Sequence, residues 1–325
     1  MSRVSTRSGE VPRKAVGSRG FSFDHVYRFM ITAAAGLVFL VVALIVYEIF
    51  RGAQTSMHSI GWSFLLRTDW DPVTNRFGAL PYVYGTLVSS FLALLIAVPL
   101  GIGSAVFLAE LAERHLSAVS SFVMELLAAI PSIVYGIWGL FVLAPLLRTA
   151  VEPWLIRHFG YLPLFRGYPF GIGMLNAGIV LAIMILPTIV SISREVLLAT
   201  PGTLRQASLA LGATRAESIG VTLDAARPGI LGAVILALGR ALGETMAVTM
   251  VIGNTNRISP SLLDPGATMS SIIANEFTEA TTDLYISALI QIALVLFVVT
   301  IIVNALARAL VYATTGGRRD VAGAA

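Results

Sequence analysis

Two clusters of residues in this chain have the types and spacing to do chemistry. The first is Gly239-Arg240-Ala241-Leu242-Gly243-Glu244-Thr245, set in an otherwise apolar stretch at about 228–252. Arg240 falls near the middle of that stretch. A charge at such a depth in a membrane costs roughly 2.5–3.5 kcal/mol on insertion scales. Glu244 follows four residues later, at i+4 and so on the same helix face. Arg240 and Glu244 read in two ways. They neutralise each other inside a helix bundle, or they handle an anion on a transport path, with Thr245 beside them. Arginine suits the second role, because its planar fork holds oxyanions through two parallel bonds and stays charged. Gly239 and Gly243 leave backbone bare next to it, which gives a bulky anion room.

The second cluster is Gln206-Ala207-Ser208-Leu209-Ala210-Leu211-Gly212-Ala213-Thr214. Thr200 or Thr203 with Pro201 predicts a helix start, Gln206–Leu211 a helix, and Gly212 its end. Small residues on this short segment suit it to docking in a groove of another protein. The alternative is a helix lying flat on the membrane surface.

Other chemistries are excluded by what is missing. There is no cysteine, hence no thiol catalysis, disulfide framework or Cys-ligated zinc. His25, His58, His115 and His158 have no partners at metal-ligand spacing. A phosphate-gripping loop of the Walker type needs a lysine after its second glycine, and the only lysine is Lys14, near the N-terminus. The chain therefore has no standard ATP site of its own, is expected to bind no cofactor or metal, and is not an enzyme. Any ATP hydrolysis that drives it belongs to another subunit.

The elements that must position these clusters are membrane helices. Of 325 residues, 56% are hydrophobic and 12% charged, against about 25% charged in soluble domains, and the mean hydropathy is +0.83. The apolar stretches predict an all-α integral membrane protein with six spans, at about 27–50, 82–109, 121–147, 171–192, 228–252 and 285–311. Pro99, Pro131 and Pro187 fall inside spans two, three and four, and the pairs Gly136/Gly139, Gly229/Gly232 and Gly239/Gly243 predict close helix approach. Residues 1–28 read as a basic, flexible tail, 194–227 as a long loop carrying the second cluster, and 313–325 as a short C-terminal tail. Lys and Arg are about twofold in excess on the loops that share a side with both termini, which places both termini in the cytoplasm. Trp62, Trp70 and Trp154 then lie outside, as in an interfacial aromatic belt. In the outer 253–284 loop, Asn256, Pro260, Asp264, Pro265 and Gly266 supply turns. Met269–Phe277 predicts a short helix at the outer surface, where with the Trp62–Asp71 segment it either offers part of a landing surface to an external partner or simply caps the bundle. The scattered positive charge marks membrane orientation and contact with lipid; nucleic acid is not expected as a partner.

On these residues the sequence resembles a known family. The 206–214 segment is similar to the EAA loop of ABC importer permeases. Phe77-Gly78-Ala79-Leu80-Pro81, Ile185-Leu186-Pro187-Thr188-Ile189, Gly239 to Thr249, and Asp264-Pro265-Gly266-Ala267-Thr268-Met269 resemble the permease subunits of bacterial phosphate-specific ABC importers of PstC type. The resemblance covers most of residues 60–312. It implies type I ABC permease architecture in the bacterial plasma membrane. It also implies a heterodimer with a PstA-type permease, an ATPase subunit pair and an external phosphate-binding protein. Span-five Arg and Glu would take part in transport. Two departures stand out: Gln206 occupies the place of the usual Glu, and Leu223-Asp224 that of a Leu-Pro pair. Two other readings stay open on the residues themselves, an anion channel or secondary transporter and an ABC permease for another oxyanion.

Overall fold

A computed structural model of the chain describes residues 21–315. Every named element among them is helical, and six helices are long and apolar enough to cross a membrane. In lipid the backbone must satisfy its own hydrogen bonds, which a helix does within one segment. The helices are α1 (Phe21–Ile60), α2 (Leu80–Val106, continued by a π turn at Phe107–Leu111) and α3 (Arg114–Ala129). α4 (Ser132–Phe159) contains two further π turns. Then come α5 (Met174–Ala199), α6 (Gly202–Ala210), α7 (Arg215–Leu242), α8 (Met246–Val251), α9 (Met269–Glu276) and α10 (Asp283–Thr315).

The chain forms two compact units, Met1–Glu48 and Ile49–Ala325. The described part of the first is the early portion of α1, whose apolar side chains, Phe29, Leu37 and Phe39 among them, are exposed. Helix begins at Phe21, so residues 21–28 are helical rather than part of a flexible tail. Residues 1–20 and 316–325 lie outside the described residues, and with them most of both expected tails.

In the second unit the core is built on α5, packed along α2. A β-carbon at Gly178 would meet Leu92 Cδ2 at 2.5 Å, and one at Gly101 would meet Ile189 Cγ2 at 2.7 Å. A second cluster joins Phe64, Trp70, Phe77 and Tyr82 to Met269, Tyr285 and Leu289. The end of α1 is tied to α10: Ser56 Oγ donates to Gln291 Oε1 at 2.5 Å, and Ser287 Oγ donates to the Gly52 carbonyl at 2.7 Å.

Two expected spans are broken helices. The third, 121–147, is interrupted between α3 and α4, because Pro131 lacks the N–H that would continue the ladder. The Leu127 carbonyl, denied a donor at Pro131, accepts the Ile130 amide at 3.3 Å and the Tyr135 hydroxyl at 2.8 Å. Ser117, early in α3, accepts from Arg194 Nη2 at 2.9 Å near the end of α5. The Gly139 carbonyl accepts Asn176 Nδ2 at 3.3 Å near its start. α3 and the first turns of α4 together thus run the length of α5. The fifth, 228–252, starts earlier, at Arg215, and stops at Leu242; Gly243–Thr245 is non-helical, and α8 resumes at Met246. With α5 reaching Ala199 and α7 starting at Arg215, the expected 194–227 loop shrinks to 200–214, most of it α6.

The small-residue contacts divide. Gly136, Gly139 and Gly229 sit where a β-carbon would strike Met250, Val180 or Val196, whereas Gly232 faces open space and Gly243 has nothing closer than 3.7 Å. Trp62 is 86% exposed, but Trp70 is buried, its ring edge-on to Phe77 at 4.9 Å and its Nε1 donating to Glu276 Oε2 at 2.5 Å. Trp70 is therefore a core residue and not part of an interfacial belt. The short helix after the 253–268 loop forms as α9, yet Met269, Ser270, Ser271 and Ile272 are buried, so it is inserted into the fold instead of resting on it.

Candidate functional site

The Gly243–Thr245 break lies deep in the bundle. Gly229 of α7 packs on Val196, toward the α6 end, and Ala247 of α8 packs on Gly136. From Gly229 the helix climbs about 16 Å to Arg240 at a rise of about 1.5 Å per residue. Arg240 is the last-turn cation of α7, adjacent to the break. Its side chain is exposed and has neither a hydrogen bond nor an ion pair among the described residues.

Because the helix ends at Leu242, Glu244 is not on a helical face four residues above Arg240, and the two do not pair. Glu244 instead serves the next helix. Its Oε1 accepts from the Ala247 amide at 3.3 Å, at the N-terminus of α8, where a carboxylate meets unsatisfied amides. The Glu244 carbonyl accepts the Ser270 hydroxyl of α9 at 2.7 Å. Thr245 is half-buried; its hydroxyl donates to the Gly243 carbonyl at 3.3 Å, and its carbonyl accepts from Thr249 Oγ1 at 2.7 Å. Arg240, Glu244 and Thr245 are thus brought to one break, with the guanidinium unneutralised. One residue was missed in the sequence: Asn304 of α10 lies opposite Gly239, its amide atoms 3.9 Å from where a β-carbon would stand. A lone Asn late in an apolar helix was the available signal.

The second cluster forms as its spacing implies. α6 spans Gly202–Ala210 with Pro201 ahead of it, and Gly212 turns at φ +86°, a left-handed conformation that favours glycine. Gln206, Ala207, Gly212 and Thr214 are exposed and Ser208 and Ala213 half-buried; α6 buries none of its residues. Thr214 opens α7 with a capping box to Glu217. At the other end of the bundle the 66–79 loop is closed by paired backbone bonds between Asp71 and Arg76. The Thr74 hydroxyl and the Val73 amide hold the Asp71 carboxyl below its usual range.

A helical bundle with a broken, charged helix at mid-depth and an exposed helix joining two spans is the architecture of a transporter's membrane subunit. Residues 97–314 match the family described as "Binding-protein-dependent transport system inner membrane component". The chain belongs to this family, and within it to the PstC-type permeases. A "Phosphate transport system permease protein PstC" of Mesorhizobium japonicum is 49% identical over 88% of this chain and 89% of its own length. One from Xylella fastidiosa is 46% identical over the same shares. A "probable" one from Methanocaldococcus jannaschii is 36% identical over 86% and 90%. Solved structures share the fold. A chain of the MetNI methionine ABC transporter superposes with a TM-score of 0.51 at 20% identity, over 73% of this chain and 94% of that one. A chain of a bacterial ABC transporter that imports alginate gives 0.57 at 17%, over 88% and 98%.

Proposed function

We propose that this chain is the permease subunit of an ATP-driven importer of inorganic phosphate in the bacterial plasma membrane. It forms half of the translocation path beside a PstA-type permease and has no enzymatic activity or cofactor of its own. An ATPase subunit pair binds the Gln206–Thr214 segment, and an external phosphate-binding protein delivers the substrate. The observation that carries the reading is the unneutralised guanidinium of Arg240 beside a helix break, in a chain whose relatives are named as phosphate permeases. A stand-alone channel or secondary transporter has no use for α6, a helix that buries none of its residues.

Arg240 binds phosphate through charge-assisted bonds, and Glu244, with Oε1 turned to α8, has a second oxygen to accept the proton that phosphate retains at neutral pH. Fully ionised sulfate lacks that proton and meets repulsion. The test is reconstitution of the chain with its paired permease and ATPase subunits in liposomes. Phosphate-loaded binding protein should stimulate ATP hydrolysis and drive phosphate uptake; hydrolysis and uptake indifferent to phosphate would sink the reading.

The proposed orientation has both termini in the cytoplasm, and a labelling experiment tests it in this cysteine-free chain. Val73 and Leu211 are each 89% exposed and Thr282 is exposed, whereas Ser261 is only 6% exposed and unsuited. Val73→Cys and Thr282→Cys should react with an impermeant maleimide on intact cells, and Leu211→Cys only after permeabilisation. The opposite pattern reverses the topology.

A further inference from the structure

α6 has no buried side chain to hold it to the bundle, so polar ties fix its position. Arg205 of α6 forms an ion pair with Glu110, in the π turn that ends α2; the Glu110 side chain is only 5% exposed. The Glu110 carbonyl accepts Arg215 Nη2 at 2.9 Å, from the first turn of α7. Ser208 of α6 donates to Ser218 Oγ of α7 at 2.9 Å. Glu110 is the buried partner and the Arg205 side chain is 35% exposed, so losing Arg205 strands a buried carboxylate, and the tie resists separation more than a fully exposed pair would.

The far end of α2 is tied as well. Thr86 Oγ1 accepts from the Met269 amide at 3.0 Å, at the start of α9. The next residue, Ser270, donates to the Glu244 carbonyl. Between these ends α2 is one continuous helix, laid against α5 at Leu92, Gly101 and Ala105.

We propose that α2 is the connecting rod between the ATPase-facing helix and the Arg240–Glu244 break. Glu110, joined to Arg205, and Thr86, joined to α9, are the positioning residues at its two ends. A displacement of α6 pulls on Glu110, shifts α2 lengthwise, and moves α9 and with it the Glu244 backbone. The inference rests on the reading that α6 and the turn after it contact the ATPase.

The experiment uses the reconstituted complex with phosphate-loaded binding protein and measures phosphate taken up per ATP hydrolysed. Glu110→Gln keeps the shape and removes the charge. It should lower that ratio at least about fivefold, the lower edge of a typical coupling, with hydrolysis itself within about twofold of wild type. Reversing the pair, Glu110→Arg with Arg205→Glu, should recover a large part of the loss, which general destabilisation would not. Thr86→Val, remote from α6, should lower the ratio too, and it carries the test should Glu110→Gln fail to assemble. A wild-type ratio in Glu110→Gln or Thr86→Val, or no recovery on charge reversal, overturns the connecting rod. Gln206→Cys, at an exposed position of α6 that makes none of these ties, separates the two claims in the otherwise unaltered chain: absence of its cross-link to the ATPase subunit refutes the underlying contact instead.

Discussion

Arg240→Gln is expected to reduce phosphate uptake about 100-fold or more while leaving the chain folded. The loss follows from the two charge-assisted bonds a guanidinium fork gives an oxyanion, each worth about 1.5–3 kcal/mol, and every 1.4 kcal/mol or so is tenfold. Folding is spared for a reason visible in the contacts. Arg240 has no hydrogen bond or ion pair among the described residues, so its removal strands no partner. Glu244→Gln should also fold, since an amide oxygen can still accept from Ala247, and should transport poorly or admit sulfate. Uptake at matched expression, with ATP hydrolysis followed in parallel, decides it. Wild-type uptake in both variants would mean that the two side chains are only structural.

Gly212→Asp should cut uptake below a tenth of wild type without disturbing the docking of the binding protein at the opposite face. Gly212 sits at φ +86°, where a side chain brings about 1–2 kcal/mol of strain. Nothing lies within 4 Å of a β-carbon there, so no clash propagates into the core. The turn itself is set by Gly212 N–H to Leu209 O and Ala213 N–H to Ser208 O, at 3.0 and 3.1 Å. Aspartate adds a charge on the surface proposed to meet the ATPase, and Gly212→Ala, with the strain alone, should fall between the two. Unaltered uptake in Gly212→Asp would remove the 206–214 segment from the coupling interface.

The α6 segment was legible because its determinants are local: Pro201 ahead of the helix, small residues within it, Gly212 after it. The number of spans was legible from hydropathy, which counts apolar residues. Hydropathy is blind to the backbone, so the stretches 121–147 and 228–252 each read as one helix although each is interrupted. Pro131 is a signal for its break, but a proline inside an apolar run is equally compatible with a span that tolerates it. Gly243-Glu244-Thr245 carried less, and the i, i+4 geometry assigned to Arg240 and Glu244 failed with the helix it assumed. Burial was the hardest to foresee. Trp70 and α9 looked like surface features from their loops, and both are held inside by partners distant in sequence, Glu276 for the one and Thr86 for the other. The Glu110–Arg205 pair, 95 residues apart, has no local signature.

The bare guanidinium of Arg240 also bears on the supply of subunits in the cell. On the proposed pairing, a newly made chain without its partner would carry that charge uncovered in the membrane, at roughly 2.5–3.5 kcal/mol on insertion scales, against the roughly 5–15 kcal/mol by which proteins are stable. On that reading an orphan copy is expected to be degraded faster, and pulse-chase of the chain expressed alone should show a shorter half-life than for Arg240→Gln. The charge proposed to serve the cargo would thereby also hold the two proposed permeases to equal numbers.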